Sequence, residues 1–355
     1  MSELKFKINE VSYTGFEEVD IFKTMQSMSG KYKVTLQNSY KGGNTLADIK
    51  INDRCVMEID DQLIMDGYVD SMPIEYAEDK CLLTLTGRDN TSDLIDCSYD
   101  FTPNEWKNQT LGNILKNICD NFGISVLVDS SASSEVNTVI DTFKANEGEF
   151  VWEIINELCN DNSILAVNYG DGNLTLTKVR NKYTSDGIIT GVNVDSCFTE
   201  QKTENRYSSI KVKGQGISND NKALADYISC SGSFNDAIIE RQRPLVLFSE
   251  LPTDNAKCKK KAIWESRIRA GLSRQIIYQV PNWVQTNGKV WNFNELTKVE
   301  DDILGIDETK LILSVNFIYS ASENIDEVTQ LTVIDRNTFN TSENDIRIKS
   351  VFDRV

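Results

Sequence analysis

Histidine does not occur among the 355 residues. With it go the commonest general base, the commonest transition-metal ligand, and every Ser-His-Asp or Cys-His arrangement. Long apolar runs are missing too: no segment approaches the roughly 18 residues that span a bilayer, so a chain soluble throughout is expected. The opening Met1-Ser2-Glu3-Leu4-Lys5-Phe6-Lys7 alternates polar and apolar residues, whereas a secretion signal needs a continuous hydrophobic stretch. Export by the general route is therefore not expected. Positive charge is in deficit, with 37 Lys and Arg against 54 Asp and Glu and a formal charge of -17. That balance argues against specific nucleic-acid binding and against direct binding to anionic membranes, since phosphate affinity rests on Lys and Arg. No C-x-x-C pair occurs among Cys55, Cys81, Cys97, Cys119, Cys159, Cys197, Cys230 and Cys258. Metal and redox sites need closer spacing, so reduced and mostly buried thiols are expected.

What is present suits a folded particle of two or three domains: 355 residues, 40% apolar, with 26% charged. The remaining chemistry is that of carboxylates. Glu17-Glu18, Asp60-Asp61 and Asp301-Asp302 could be offered as glycosidase pairs, but neighbours on a strand point to opposite faces and do not converge on a substrate. Gly30-Lys31 has the end of a phosphate loop, yet Tyr32 stands where Ser or Thr should follow and Met25 where the first Gly should be. Asp171-Gly172-Asn173 and Asn219-Asp220-Asn221 lack full calcium-loop spacing and read as turns. Lys257, Lys259, Lys260 and Lys261 read as the solvated face of a helix start. No catalytic, cofactor-binding or metal-ligating residue is assigned, and no cofactor is expected.

Period-two alternation dominates the first hundred residues, as in Tyr32, Val34 and Leu36 against Lys33, Thr35 and Gln37. Ile49 and Ile51, then Cys55, Met57 and Ile59, then Cys81, Leu83 and Leu85 repeat it, separated by turn signals such as Lys41-Gly42-Gly43-Asn44 and Asp66-Gly67. After Pro103 the period changes. Thr110 can cap a helix with the apolar face Leu111, Ile114, Leu115, Ile118 and Phe122, stopped at Gly123. Val151, Ile154, Ile155, Leu158 and Cys159 mark a second helix, and Ile124 to Val128 a strand between the two. A hairpin is expected around Gly170-Asp171-Gly172-Asn173. Strand signals return at Ile210 and Val212, give way to a helix near Asp254 to Ala270, and resume at Ile276, Tyr278 and Val280. The last pair is Leu311 to Tyr319 with Leu331 and Val333. The chain is thus read as mainly β with an α+β insertion: a β-rich domain over 1–100 that suits a small barrel or sandwich, an α+β module over 101–185, and a second β-rich domain over 186–355 with an inserted helix at 254–270.

One segment is more specific than composition. Gly87-Arg88-Asp89-Asn90-Thr91-Ser92-Asp93-Leu94-Ile95-Asp96-Cys97-Ser98 resembles the G-R-[SD]-x-T-x-D-L-[IV]-D-x-S signature of Mu-type phage baseplate hub proteins. Further stretches are similar in the same order: Thr110 to Leu115 with Phe122-Gly123-Ile124, Glu147 to Glu153, and Arg206 to Gln215. Ala262 to Arg267, Val280 to Trp283 and Gly288 to Trp291 complete the series, so the likeness covers most of residues 80 to 335. The resemblance implies a homotrimer in which two related β-barrel tube domains per subunit flank the α+β module. The resulting pseudo-hexameric ring adapts a sixfold tail tube to a threefold central spike, an architecture shared with hub portions of type VI secretion spikes. The implied partners are the tail tube or a tube-initiator protein, the spike, and baseplate wedge proteins. The implied location is the virion tail baseplate, after assembly in the host bacterial cytoplasm. DNA passing the lumen would meet a negatively charged wall.

Within the motifs, Arg88 and Asp93 are expected to form an ion pair, and Trp152, Trp264, Trp283 and Trp291 to fill cores. Two rival readings differ in kind. A cell-wall glycosidase would need two carboxylates converging in a cleft, and a carbohydrate- or host-binding β-module would need an exposed aromatic platform.

Overall fold

A computed structural model describes residues 2–38, 49–76, 81–217, 227–249, 251 and 253–341. Lys41-Gly42-Gly43-Asn44 and Asn219-Asp220-Asn221 lie outside the described residues. Alternating side chains produce strands at once: β1 (Leu4–Ile8), β2 (Val11–Tyr13), β3 (Phe16–Thr24), β4 (Lys31–Asn38), β5 (Arg54–Ile59), β6 (Gln62–Ser71), β7 (Ile74–Tyr76) and β8 (Cys81–Asp89). Their apolar members face one core, in which Phe6, Ile21, Val34, Met57, Met65 and Leu85 are fully buried. Asp60 and Asp61 make the tight β5–β6 turn, both at positive φ, a conformation in which Asp is better tolerated than most residues.

A short helix, α1 (Ser92–Asp96), leads into the α+β module. There β9 (Glu105–Thr110), α2 (Leu111–Asp120), β10 (Val126–Val128), α3 (Ser133–Val136), β11 (Val139–Lys144), α4 (Val151–Asp161), β12 (Leu165–Val167) and β13 (Leu174–Thr177) follow one another. Thr110 caps α2 by accepting from the Asn113 N–H, and Gly123 stops it at φ +69°. The periodic faces of α2 and α4 meet in a second core with Leu174 and Leu176. As expected, β12 and β13 form a hairpin, whose Asp171 side chain accepts from the Asn173 N–H.

The last third contains β14 (Ile188–Ile189), β15 (Ser196–Gln201), β16 (Ser209–Ile217), β17 (Tyr227–Asn235), β18 (Pro244–Phe248), α5 (Asn255–Leu272), β19 (Arg274–Pro281), β20 (Leu296–Asp301), β21 (Ile306–Ser320) and β22 (Ile325–Asp335). Two features of its arrangement were not apparent from periodicity. The strand holding Ile210 and Val212 does not join the strands around it: β16 sits between antiparallel β17 and parallel β18 in a separate sheet, with α5 laid across it through Cys258 and Ala262. Conversely, β3 pairs antiparallel with β21, so strands from both ends of the chain share one 14-stranded sheet in the order β15-β19-β22-β21-β3-β4-β8-β6-β5-β1-β2, with β7, β14 and β20 alongside. The protein is mostly β with few helices.

Candidate assembly interface

Eight consecutive strands of the large sheet, from β15 to β6, are all antiparallel to their neighbours. Their registers align one row of side chains straight across: Tyr68, Arg88, Lys31, Phe22, Asn316, Gln330, Gln279 and Ser196. Because successive residues alternate in direction, the opposite face carries Val69, Tyr32, Ile21, Phe317, Leu331 and Tyr278, and these are buried. The first row therefore lies on an open face, amphipathic and largely uncharged on the β21–β15 side. A groove of about 480 Å³ runs along it at the β3–β4–β8 end, lined by Asp20, Phe22, Lys31, Lys33, Arg88 and Asn316 among others. Lys31 lies over the Phe22 ring, 5.3 Å from its centroid.

The Gly87 to Asp96 segment holds this face to the α+β module. At Gly87, β8 lies close to both of its neighbours, since a Cβ there would collide with the Tyr68 carbonyl of β6 and the Tyr32 ring of β4. Arg88 reaches along the open face to Asp70 at 2.8 Å and Asp96 at 2.7 Å. Asp89 turns inward, 1% exposed, accepting from the Gly30 N–H at 2.7 Å and from the Thr91 hydroxyl. Burial pushes its carboxyl up to about 6. Asn168, on the β12–β13 turn, donates to Thr91 at 3.0 Å, and buried Lys23 donates to the Tyr169 carbonyl at 2.6 Å. Burial lowers the Lys23 ammonium to about 8 against the pull of Asp89 and Asp171. The stack of Tyr169 on Phe293, 4.9 Å between centroids, extends the joint to the last part of the chain.

The sheet also has free edges among the described residues. At one end β15 pairs only with β19, and Phe198 is 62% exposed. Beside the main strand order, β7 pairs only with β8, and Tyr76 is 82% exposed although it follows the register of core-facing Cys81. Tyr76 thus lacks the cover that Cys81 possesses, and Phe198, two residues from Ser196, stands on the open face. An uncovered apolar edge marks a contact surface.

Three family models match successive parts of the chain: Mu phage baseplate assembly protein GpP-like, N-terminal, over residues 3–89; baseplate hub protein gp44-like, second domain, over 91–178; and Mu phage baseplate assembly protein GpP, fourth domain, over 254–342. Baseplate hub protein gp44 of Escherichia phage Mu is 24% identical over 306 residues, which is 85% of this chain and 80% of that one. The chain belongs to the Mu-type baseplate hub proteins. The 43 kDa tail protein of prophage MuSo2 from Shewanella oneidensis is 27% identical with a TM-score of 0.82, covering 95% of this chain and 99% of that one. A tail protein from Neisseria meningitidis MC58 shares the fold at 18% identity and a TM-score of 0.79, covering 95% and 98%. The role of this hub protein is structural, and its place is the tail baseplate of the virion.

Most residues singled out in the hub sequence are structural. Arg88 does pair within the chain, but with Asp70 and Asp96 rather than Asp93, because on the single turn of α1 it is Asp96 that comes back over β8. Trp264, Trp283 and Trp291 are buried, while Trp152 is half-buried against the module core. The lysine run is not all solvated: Lys261 is half-buried in an ion pair with Asp161 of α4, and Lys260 lies 3.9 Å from Glu135. These contacts fasten α5 to the module. Thr35 faces outward as expected yet is only 3% exposed, held between Thr84 and Glu18. The carboxylate doublets stay apart in role: Glu18 binds Lys33, Asp61 binds Lys5, and Asp301 accepts from the Tyr278 hydroxyl. Gly30 and Lys31 frame no phosphate loop, since the Gly30 N–H is taken by Asp89. All eight cysteines are free thiols, six of them buried. Sequence periodicity missed β15, whose only large apolar residue is Phe198, too sparse a signal to read as a strand.

Proposed function

We propose that three copies of the chain close a ring whose channel is lined by the open face of the eight strands β15 to β6, adapting a sixfold tail tube to a threefold spike. The observation that carries this is the unbroken row from Tyr68 to Ser196 crossing the β3·β21 seam. It divides into four strands from the N-terminal part and four from the C-terminal part, so three copies supply six four-stranded units. An even number of antiparallel strands also means that the first and last run in opposite directions. β6 is taken by β5 along Gln62–Tyr68, but β7, which runs antiparallel to β8 as β6 does, is joined on one side only, so β15 of one copy can follow β7 of the next with the alternation intact. In that ring the exposed Phe198 and Tyr76 are covered by a neighbouring copy.

The channel wall so formed is not uniformly acidic. Lys31, Lys33 and Arg88 stand beside Glu18, Asp20 and Asp70, and amides and hydroxyls fill the β21–β15 side. DNA would be kept mobile by a near-balanced polar wall rather than by repulsion alone. The division into a first barrel, an α+β module and a second barrel is part of the same proposal, with the β16–β18 sheet as an outer addition to the last. The lack of histidine and the separated carboxylates support a non-catalytic chain. The proposed partners are the tube or its initiator, the spike and wedge proteins.

Sedimentation at micromolar concentration tests the ring. A trimer is expected for the natural chain and a shift toward monomer for Phe198→Asp, with circular dichroism unchanged. A natural chain that stays monomeric even with its tube protein present sinks the proposal.

A further inference from the structure

Among the described residues, β18 is joined on one side only, to β16. The Ser249 N–H donates to the Lys213 carbonyl at 2.8 Å and the Arg243 carbonyl accepts from Ser208 at 3.0 Å. Odd-numbered residues of this strand therefore direct their backbone groups to β16. By alternation the N–H groups of Val246 and Phe248 and the Val246 carbonyl point away from the sheet, while the Phe248 carbonyl meets only the Lys261 ammonium at 3.5 Å. Natural sheets shield such an edge with charge, proline or a covering element. Here Pro244 shields only the first position, and Leu245 to Phe248 carry no charge.

The side chains at this edge also point to a ligand. Val246 and Phe248 are 46% and 68% exposed on the face away from α5. Their register partners on β16 are Lys211 and Lys213, both exposed and with no ion-pair partner among the described residues. Residues 203–272 hold 12 Lys and Arg against 8 Asp and Glu, a net +4, which leaves -21 on the rest of the chain. An edge with free donors, two exposed apolar side chains and two adjacent ammonium groups suits a strand that alternates apolar and acidic residues.

We propose that the β18 edge receives an extended segment of another tail protein, alternating apolar and acidic residues, as an added strand. The proposal rests on this edge alone, and a ring that failed to form would leave it standing. The test uses the full chain and two fluorescent octapeptides, one alternating Val with Glu and one alternating Val with Lys, read by anisotropy. The Val/Glu peptide is expected to bind at least tenfold more tightly. Val246→Pro removes an edge donor without touching the β16 ladder, and should weaken that binding at least tenfold while the melting temperature holds. Lys211→Glu with Lys213→Glu should reverse the preference. Equal binding of both peptides, no binding of the Val/Glu peptide at millimolar concentration, or indifference to Val246→Pro overturns the proposal. So does a trimer that dissociates on Phe248→Ser, because a second copy would then already occupy the edge.

Discussion

Asp89 shows how one motif residue can serve position rather than reaction. Its carboxyl is buried, fixed by the Gly30 N–H and the Thr91 hydroxyl, and held up at about 6 by desolvation. A folded value above the unfolded one of 3.8 means that the native state favours the protonated form. The site's stabilising contribution is full below about pH 4 and is lost as pH rises through about 6. Urea unfolding of the natural chain and of Asp89→Asn between pH 4 and 7 checks this: their difference in stability should change by on the order of 2 kcal/mol across that window. A flat difference would contradict the assignment. Lys23 has the opposite sense: its ammonium is lowered to about 8, so its burial cost is relieved as pH rises from there toward 10.5. The motif was legible at Gly87 and Arg88, but the partners were not, because Asp70 approaches Arg88 from a strand paired across the sheet and nothing local distinguishes Asp96 from Asp93.

The elements themselves could be read from the chain, and their company could not. Helices α2 and α4 follow from apolar spacing and caps, and α5 begins one residue after Asp254, which accepts from the Lys257 N–H. Yet α5 shows little one-sidedness, since Cys258 and Ala262 face the β16–β18 sheet while Trp264 packs on Phe339 at 5.7 Å. Ile210 and Val212 alternate like every other strand, and a period of two does not specify a neighbour. What admits α5 onto its sheet is Gly232 on β17, where a Cβ would collide with the backbone of Lys259. Gly232→Ala should cost about 1–3 kcal/mol by forcing the helix outward. Loss of stability in thermal melts, accompanied by faster hydrogen exchange in α5, would support this contact, and an unchanged melt would refute it.

Over the whole molecule the decisive feature is the β3·β21 seam. Ile21 and Phe317 face each other across it, both fully buried. The two ends of the chain should therefore melt together: calorimetry of Phe317→Ala should show a lower melting temperature by about 3–5 kcal/mol of stability, with probes in both halves still moving at one temperature. Separate transitions would show two independent bodies. The seam has a further consequence in time. Thr24 and the Leu313 carbonyl that it bonds lie 289 positions apart, so all of the chain between them must be made before β3 can acquire its mate. Throughout synthesis the emerging chain carries an unpaired β3 edge and half-built core, the condition in which polypeptides stray into aggregates. Slow maturation and dependence on cellular folding helpers follow from how far apart along the chain the two strands of this seam are written.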